Sequence, residues 1–401
     1  MRREWFLLTL VTAGAPSAAL ALNKVNVLAS FSNATGTLPQ FPLTLAGGTL
    51  YGTTYSGGGQ GMGTVFSVPV AGGAPTVLAS SFSATLTSGL IVSGNTLFGE
   101  TGSYYVGNDS SVVGEVFSLP ITGGTPTVLA SFNFSGPYGN DPFGGLALSG
   151  TTLYGVTSNG GVNGDGIIFS LPVSGGTPTI LTSFSSTDPV PRFGLTLSGS
   201  TLYGETGGGG ANGMGGVFSM PITGGTPTLL GSFDSADGSD PYGGLTVSGN
   251  TLYGTTAADG QYGNTTGEVF SLPLTGGTPT VLGSPFLSNP HGVVISGDTL
   301  YGAGTANQIE PFDGVYSMPI TGGASTVLAH FNNQSVDGGF PWGGVTISGN
   351  AIYGTTSEGG ANGDGTVFEI STIVPEPASV SALAVGVLCL LVRRSRSVAK
   401  Y

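Results

Sequence analysis

Side chains that can bind ligands occur at regular intervals along the sequence, at one recurring position. It usually follows a proline and precedes a short apolar segment that recurs seven times. Its occupants are Gln40, Thr87, Phe143, Arg192, Tyr242, His291 and Trp342. Aromatic rings can stack on sugars, and a ring that also contains Arg and His can hold a peptide or an anionic group. We expect a candidate ligand-binding ring; the alternative is that these side chains plug a channel or pack against neighbouring loops.

Motifs of common hydrolases are missing from the sequence. His291 and His330 are the only histidines, and there is neither a zinc-type histidine pair nor a Gly-x-Ser-x-Gly segment. Paired carboxylates could still cleave glycosidic bonds. Glu100 and Glu205 occupy equivalent repeat positions, so we expect solvated or turn-stabilising roles for them and not catalysis.

An acidic segment with Asp234, Asp237 and Asp240 is the best candidate for a cation site. Its spacing does not match the helix-flanked calcium loop. We therefore expect no cofactor, with a weak surface calcium site as the alternative.

The charge balance excludes some partners. The 8 Lys and Arg residues against 21 Asp and Glu give a formal net charge of -13, which argues against nucleic-acid binding because that depends on basic side chains. The single cysteine, Cys389, cannot form an intramolecular disulfide.

The elements that position the candidate ring are copies of one repeat. Its centre is Leu252-Tyr253-Gly254, and related triplets occur seven times, 47 to 56 residues apart. Short alternating apolar runs bounded by turn residues predict strands. In the fifth copy these strands are Leu245–Val247, Thr251–Thr255, Glu268–Leu272 and Thr280–Gly283. Four strands in about 50 residues is the size of a propeller blade.

The two ends of the repeat array complement each other. The seventh copy stops after its third strand, Val367–Ile370, whereas a fourth-strand sequence, Asn26–Phe31, stands alone before the first copy. The sequence thus predicts an all-β fold, a seven-bladed β-propeller of four-stranded blades closed by the N-terminal strand completing the last blade. Loops that lead into the first strands vary from 7 to 14 residues while the opposite turns are uniform, so we expect binding on the loop-rich face.

The repeats resemble the GloVer tandem-repeat family of surface proteins. The resemblance rests on the Leu-Tyr-Gly-Thr-Thr segments, on Gly359–Gly365 and on the following Thr366–Phe368, and covers nearly all of the chain between its ends. It implies a surface protein with one of several interchangeable C-terminal sorting tails. It transfers no catalytic residues to this sequence.

Residues 1–21 have the features of a secretory signal peptide. Arg2 and Arg3 precede the apolar run Trp5–Val11, and Ala19 and Ala21 form a small-residue cleavage site. Signal peptidase is the partner this implies. A buried N-terminal helix is the alternative.

The C-terminal end of the chain has the features of a second sorting signal. Val374, Pro375, Glu376 and Pro377 precede the apolar segment Ala378–Val392, and a cluster of arginines follows. This order resembles the PEP-CTERM sorting signal, which implies recognition by an exosortase-type protease, removal of the tail and delivery to the cell surface or matrix. A plain C-terminal membrane anchor is the alternative.

These features predict three parts: a signal peptide (1–21), a propeller (22–372) and a sorting signal with a transmembrane segment (373–401). We expect a protein secreted across the inner membrane that touches the membrane only through its C-terminal tail. Its expected role is a non-enzymatic binding or structural component of the cell surface or exopolysaccharide matrix, with surface polysaccharide as a partner. The alternative is a polysaccharide-active hydrolase or lyase that uses carboxylates on the loop-rich face.

Overall fold

A computed structural model describes residues 23–371 with short gaps, and the described residues form strands and no helix. The gaps are 103–113, 134–135, 140, 186–190, 192, 235–236, 258–266, 286, 288–289, 306–311 and 333–335. The expected signal peptide (1–21) and sorting signal (373–401) lie outside the described residues. Within the described part, no helix is long and apolar enough to cross a membrane.

In the described residues thirty strands form seven antiparallel sheets, and each sheet is one blade. After β1 (Val25–Ser30), blade one contains β2 (Thr44–Ala46), β3 (Thr49–Thr53), β4 (Val65–Pro69) and β5 (Thr76–Ala79). Blade two contains β6 (Thr85–Leu86), β7 (Ile91–Ser93), β8 (Thr96–Gly102), β9 (Gly114–Pro120) and β10 (Thr127–Phe132). Blade three contains β11 (Ala147–Ser149), β12 (Thr152–Thr157), β13 (Ile167–Pro172) and β14 (Thr179–Ser183). Blade four contains β15 (Thr196–Ser198), β16 (Thr201–Thr206), β17 (Gly216–Pro221) and β18 (Thr228–Ser232).

The remaining three blades follow the same order. Blade five contains β19 (Ser239–Pro241), β20 (Thr246–Ser248), β21 (Thr251–Ala257), β22 (Val269–Pro273) and β23 (Thr280–Gly283). Blade six contains β24 (Val293–Ser296), β25 (Thr299–Gly304), β26 (Asp313–Pro319) and β27 (Thr326–Phe331). Blade seven contains β28 (Val345–Ser348), β29 (Ala351–Thr356), β30 (Thr366–Ser371) and, as its outer strand, β1. The predicted seven-bladed propeller is confirmed, with two unpredicted short strands, β6 and β19, paired to β8 and β21.

The repeat triplet builds the core of each blade. In blade five Leu252 is fully buried, and the ring of Phe270 on β22 lies against Gly254. A Cβ at Gly254 would lie 2.6 Å from Cζ of Phe270, so a glycine is needed to leave room for the ring. Tyr253 packs in one apolar cluster with Leu300 of blade six, which places the repeat tyrosine between blades.

The N-terminal strand closes the ring. β1 pairs antiparallel with β30, with Val25 opposite Ile370. Phe31, which follows β1, is fully buried, and its ring centroid lies 4.7 Å from that of Phe66 in blade one. The strand therefore completes blade seven and also packs against blade one, as predicted from the offset of the repeats.

At every junction a backbone hydrogen bond joins the outer strand of one blade to the next blade. Each outer strand has a bulge at one leucine, which leaves that leucine's carbonyl free of the ladder. At six junctions a glycine N–H of the next blade donates to this carbonyl, as Gly124 does to Leu78 at 3.0 Å. At the seventh junction the N–H of Asn23 donates to Leu328 at 2.9 Å. The N-terminal segment thus replaces the Gly-Gly turn that blade seven lacks.

Candidate central binding site

A cavity of about 310 Å³ lies where the inner strands of the blades begin. Ligand pockets usually have volumes of roughly 300–1,000 Å³, so this cavity is large enough for one small group. Its wall consists of the segments that lead into the inner strands, one from each blade. Most of these segments share a pattern of proline, a variable residue and glycine, as in Pro142–Gly145 and Pro241–Gly244.

Rings from five consecutive blades contact one another along the cavity wall. This aromatic arc consists of Phe143, Phe193, Tyr242, His291 and Trp342. Successive ring centroids are 6.3, 4.5, 5.1 and 5.6 Å apart. The first three contacts are tilted or edge-to-face, and the last is stacked with an interplanar angle of 29°. Aromatic pairs favour such geometries, so the arc is held in shape by its own contacts.

Blades one and two complete the wall between the two ends of the arc. Gln40 is partly exposed in the cavity, and Phe41 lies beside it. Thr87 is fully buried, and its hydroxyl donates to the carbonyl of Pro142 at 3.0 Å. The Gln40 amide, which has both donors and an acceptor, is therefore the polar side chain available on this side of the cavity.

The structure places five of the six candidate binding residues on the wall of one cavity. They are Gln40, Phe143, Tyr242, His291 and Trp342. Arg192 lies outside the described residues, and the arc member from its blade is the next residue, Phe193. Selecting the residue directly after Pro191 missed Phe193, although an aromatic residue one position further along was visible in the sequence.

Glycines allow the wall segments of neighbouring blades to approach each other closely. Gly144 has a φ of +89°, and its carbonyl accepts a hydrogen bond from the N–H of Gly194 at 3.1 Å. A Cβ on Gly144 would lie 2.4 Å from the Gly194 nitrogen. A side chain here would therefore clash with backbone and strain φ as well.

Backbone strain is concentrated beside the cavity segments. Three non-glycine residues in the described part have a positive φ: Leu38 at 56°, Asp240 at 53° and Phe340 at 56°. All three directly precede the proline of a wall segment. Such a conformation costs about 1–3 kcal/mol for a residue with a side chain, and residues of this kind cluster at functional sites.

The cavity wall has little charge. Burial lowers the pKa of the His291 imidazole to about 3, so this ring is neutral at physiological pH. Nε2 of His291 and Nε1 of Trp342 are buried and have no hydrogen-bond partner among the described residues. An unsatisfied buried group of this kind costs about 1–3 kcal/mol. None of the described residues that line the cavity is Asp, Glu, Lys or Arg.

Glu100 and Glu205 lie at blade junctions behind the cavity wall, and of the two roles expected for them, solvated or turn-stabilising, the structure supports the second. Both are buried, with 0% and 1% of the residue exposed. Oε2 of Glu100 accepts from the N–H of Gly145 at 3.0 Å, and Oε2 of Glu205 accepts from the N–H of Gly244 at 3.1 Å. Each carboxyl thus stabilises the wall segment of the next blade, which agrees with the expected turn-stabilising role.

The environment of these two carboxyls keeps them protonated. Burial raises the pKa of both Glu100 and Glu205 to about 8, although the backbone hydrogen bonds act in the opposite direction. The nearby carboxylates Asp141 and Asp240 raise the pKa further. At neutral pH both side chains are therefore mainly in the neutral acid form.

In the acidic segment considered for calcium, Asp234 and Asp237 are hydrogen-bonded to each other, and Asp240 lies in β19. The N–H of Asp237 donates to Oδ1 of Asp234 at 3.2 Å. Across the part of the chain that the structure describes, no three His, Cys, Asp or Glu residues are grouped so that they could hold a metal ion.

Comparison with known proteins supports the repeat assignment. The family model described as the Gloeobacter/Verrucomicrobia repeat matches residues 107–289, which include most of blades two to five. The chain is thus a β-propeller repeat protein similar to this family over the matched residues. No curated protein sequence matches the chain.

Solved propellers resemble the chain in fold. An oligogalacturonate lyase from Vibrio parahaemolyticus is 12% identical, with 89% of this chain and 95% of that one covered and a TM-score of 0.53. The β-propeller domain of the Trilobed protease from Pyrococcus furiosus is 10% identical, with 83% and 94% covered and a TM-score of 0.48. TolB from Acinetobacter baumannii is 15% identical, with a TM-score of 0.42; 65% of this chain is covered, and the chain spans 58% of that protein. At 12% identity the likeness to the lyase shows the fold alone.

Proposed function

We propose that this protein is a non-enzymatic binding component of the cell surface or extracellular matrix, and that its ligand site is the central cavity. The observation that carries the proposal is the aromatic arc, which five consecutive blades build on the wall of one cavity. Scaffold residues recur in every blade, whereas the arc contains four residue types: Phe, Tyr, His and Trp. Variable residues on a rigid scaffold are typical of binding sites.

The proposed location at the cell surface is supported by the sequence of the two ends of the chain. The signal peptide (1–21) and the PEP-CTERM-like tail (373–401) support export, and the match to the Gloeobacter/Verrucomicrobia repeat is compatible with a surface protein. Mass spectrometry of protein recovered from the cell surface tests this address. We expect termini near Leu22 and near Pro375–Pro377; an intact C-terminus would instead indicate a retained membrane anchor.

Polysaccharide cleavage is the second candidate function, and the side chains of the described cavity wall argue against it. Glycoside hydrolysis needs two carboxyl groups about 5–10 Å apart in a concave site. The described cavity wall contains no carboxyl side chain, and the nearby Glu100 and Glu205 are buried behind it and bonded to backbone N–H groups. These acids are therefore not positioned to reach a substrate in the cavity.

The test exposes the purified full chain to an array of surface polysaccharides and measures both retention and cleavage products. We expect retention without cleavage, and loss of retention when Tyr242 and Trp342 are both replaced by Ala. Phe312→Ala is the matched control, because this ring is 41% exposed and is not part of the described cavity wall. If the doubly substituted protein is still retained, the cavity is not the binding site. If the wild-type protein releases shorter oligosaccharides from a polysaccharide, the result favours the polysaccharide-cleaving function.

A further inference from the structure

The charge of the cavity restricts what it can bind. Its described wall contains no ionic side chain, and His291 is neutral because burial holds its pKa at about 3. Glu100 and Glu205 are buried behind the wall and are held mainly protonated. An ionised ligand group would lose water here without gaining a counter-charge, which is unfavourable. The described wall therefore suits an uncharged ligand.

The two sides of the cavity differ in polarity. Blades three to seven contribute the aromatic arc, whereas blade one contributes the amide of Gln40 beside Phe41. Carbonyl and N–H groups of wall glycines such as Gly89 and Gly344 add backbone polarity. A sugar ring has the matching form, with a face of C–H bonds and an edge of hydroxyls that both donate and accept.

Two polar atoms in the arc have unused hydrogen-bonding capacity. Nε2 of His291 and Nε1 of Trp342 belong to stacked rings and have no partner among the described residues. The indole N–H can only donate, and the neutral imidazole can donate or accept. Both nitrogens are themselves buried, so we expect a sugar to contact these two rings through their faces.

We infer that the central cavity binds an uncharged sugar unit, with one ring face against Tyr242, His291 and Trp342 and with hydroxyls directed to Gln40. This inference rests on the proposed binding function and narrows its ligand class. The strained residues Leu38 and Phe340 lie in the segments that carry Gln40 and Trp342. Residues with such backbone strain cluster at functional sites.

Trp342 supplies a direct probe of occupancy. The chain has 2 tryptophans, Trp5 and Trp342, so the Trp5→Phe full chain emits from the cavity alone. This protein is titrated with neutral oligosaccharides of glucose, galactose or mannose. Each is paired with the corresponding uronic acid oligosaccharide of the same linkage, so that the two members differ in charge and share their ring geometry.

We expect at least one neutral oligosaccharide to change the Trp342 emission, and its uronic acid counterpart to bind about tenfold more weakly or not at all. Gln40→Ala should weaken binding of the neutral member by roughly two- to tenfold, the effect of one neutral hydrogen bond. Phe312→Ala should leave the binding constant unchanged. Thermal unfolding of each variant separates loss of binding from loss of fold.

Other outcomes overturn the inference in distinguishable ways. If the uronic acid member binds as tightly as the neutral one and Arg192→Ala abolishes its binding, the ligand is anionic and the proposed binding function stands. If no sugar changes the Trp342 emission while a hydrophobic peptide does, the ligand class is wrong and the cavity remains a binding site. If no probe is sensitive to Tyr242→Ala, the proposed function fails with the inference.

Discussion

The buried carboxyls Glu100 and Glu205 make the stability of this propeller depend on pH in an unusual direction. Burial raises each pKa from 4.5 to about 8. The folded chain therefore keeps two protons that the unfolded chain releases above pH 4.5. Since the unfolded state then binds fewer protons, stability is full below pH 4.5 and is lost as the pH rises towards 8.

The magnitude follows from these two pKa values. At pH 7 the linkage relation, RT ln[(1 + 10^2.5)/(1 + 10^-1)], gives a loss of about 3 kcal/mol for each residue. Glutamine has the shape of the neutral acid, and its carbonyl can accept from the N–H of Gly145 or Gly244 as Oε2 does. We expect Glu100→Gln and Glu205→Gln each to raise the free energy of unfolding at pH 7, by up to about 3 kcal/mol. Below pH 4.5 they should have little effect.

Urea denaturation between pH 4 and pH 8.5 measures this effect. The wild type should lose stability across the range, whereas the double Gln variant should lose much less. Glu115→Gln is the matched control, because Glu115 is half-buried and lies opposite Thr101 in the same blade as Glu100. A wild type with constant stability from pH 5 to pH 8, or a double variant less stable at pH 7, would show that the carboxyls are ionised in the fold and would refute the reasoning.

Three further predictions concern closure, the junctions and the arc. Phe31→Ala should cost about 3–5 kcal/mol in urea denaturation, as much as the equivalent Phe132→Ala; a much smaller loss for Phe31 would mean that the closing strand frays. Gly123→Ala and Gly124→Ala should both lower the thermal stability, because each glycine has a positive φ, 85° and 140°, and the new Cβ at Gly123 would also lie 2.9 Å from a carbonyl oxygen. Unchanged thermal stability in both variants would contradict the junction geometry. NMR of the two imidazoles should show His291 neutral above about pH 4, and a midpoint near 6.5 would place its ring in water.

The fold could be predicted in detail because the repeat occurs seven times and its copies can be compared with one another. Seven copies of the triplet fixed the blade number, and the unpaired segment Asn26–Phe31 showed where the ring closes. The hydrogen bond between neighbouring blades could not be predicted, since it depends on bulges at positions such as Leu78 that leave no mark in an alternating pattern. The role of Asn23 depends on the same bulges.

The candidate site was predicted in position and only partly in composition. The residue after each proline was a sound guide, because proline and glycine fix the backbone on both sides of it. It failed in blade four, where Phe193 joins the arc. The burial of Glu100 and Glu205 was missed as well, although Val156 and Ala303 occupy the equivalent positions in other blades and indicate a buried site.

The division between scaffold and site explains how one repeat produces a cavity without sevenfold symmetry. Blade junctions use backbone groups, buried apolar rings and, at two junctions, a buried glutamate, so they depend little on the side chains of the aromatic arc. Those wall side chains are then free to differ, and five aromatic ones contact one another across consecutive blades. This run covers blades three to seven, and Gln40 of blade one lies beyond its end at Trp342. A ligand that matches this wall has an apolar face and a polar edge, as a sugar ring does.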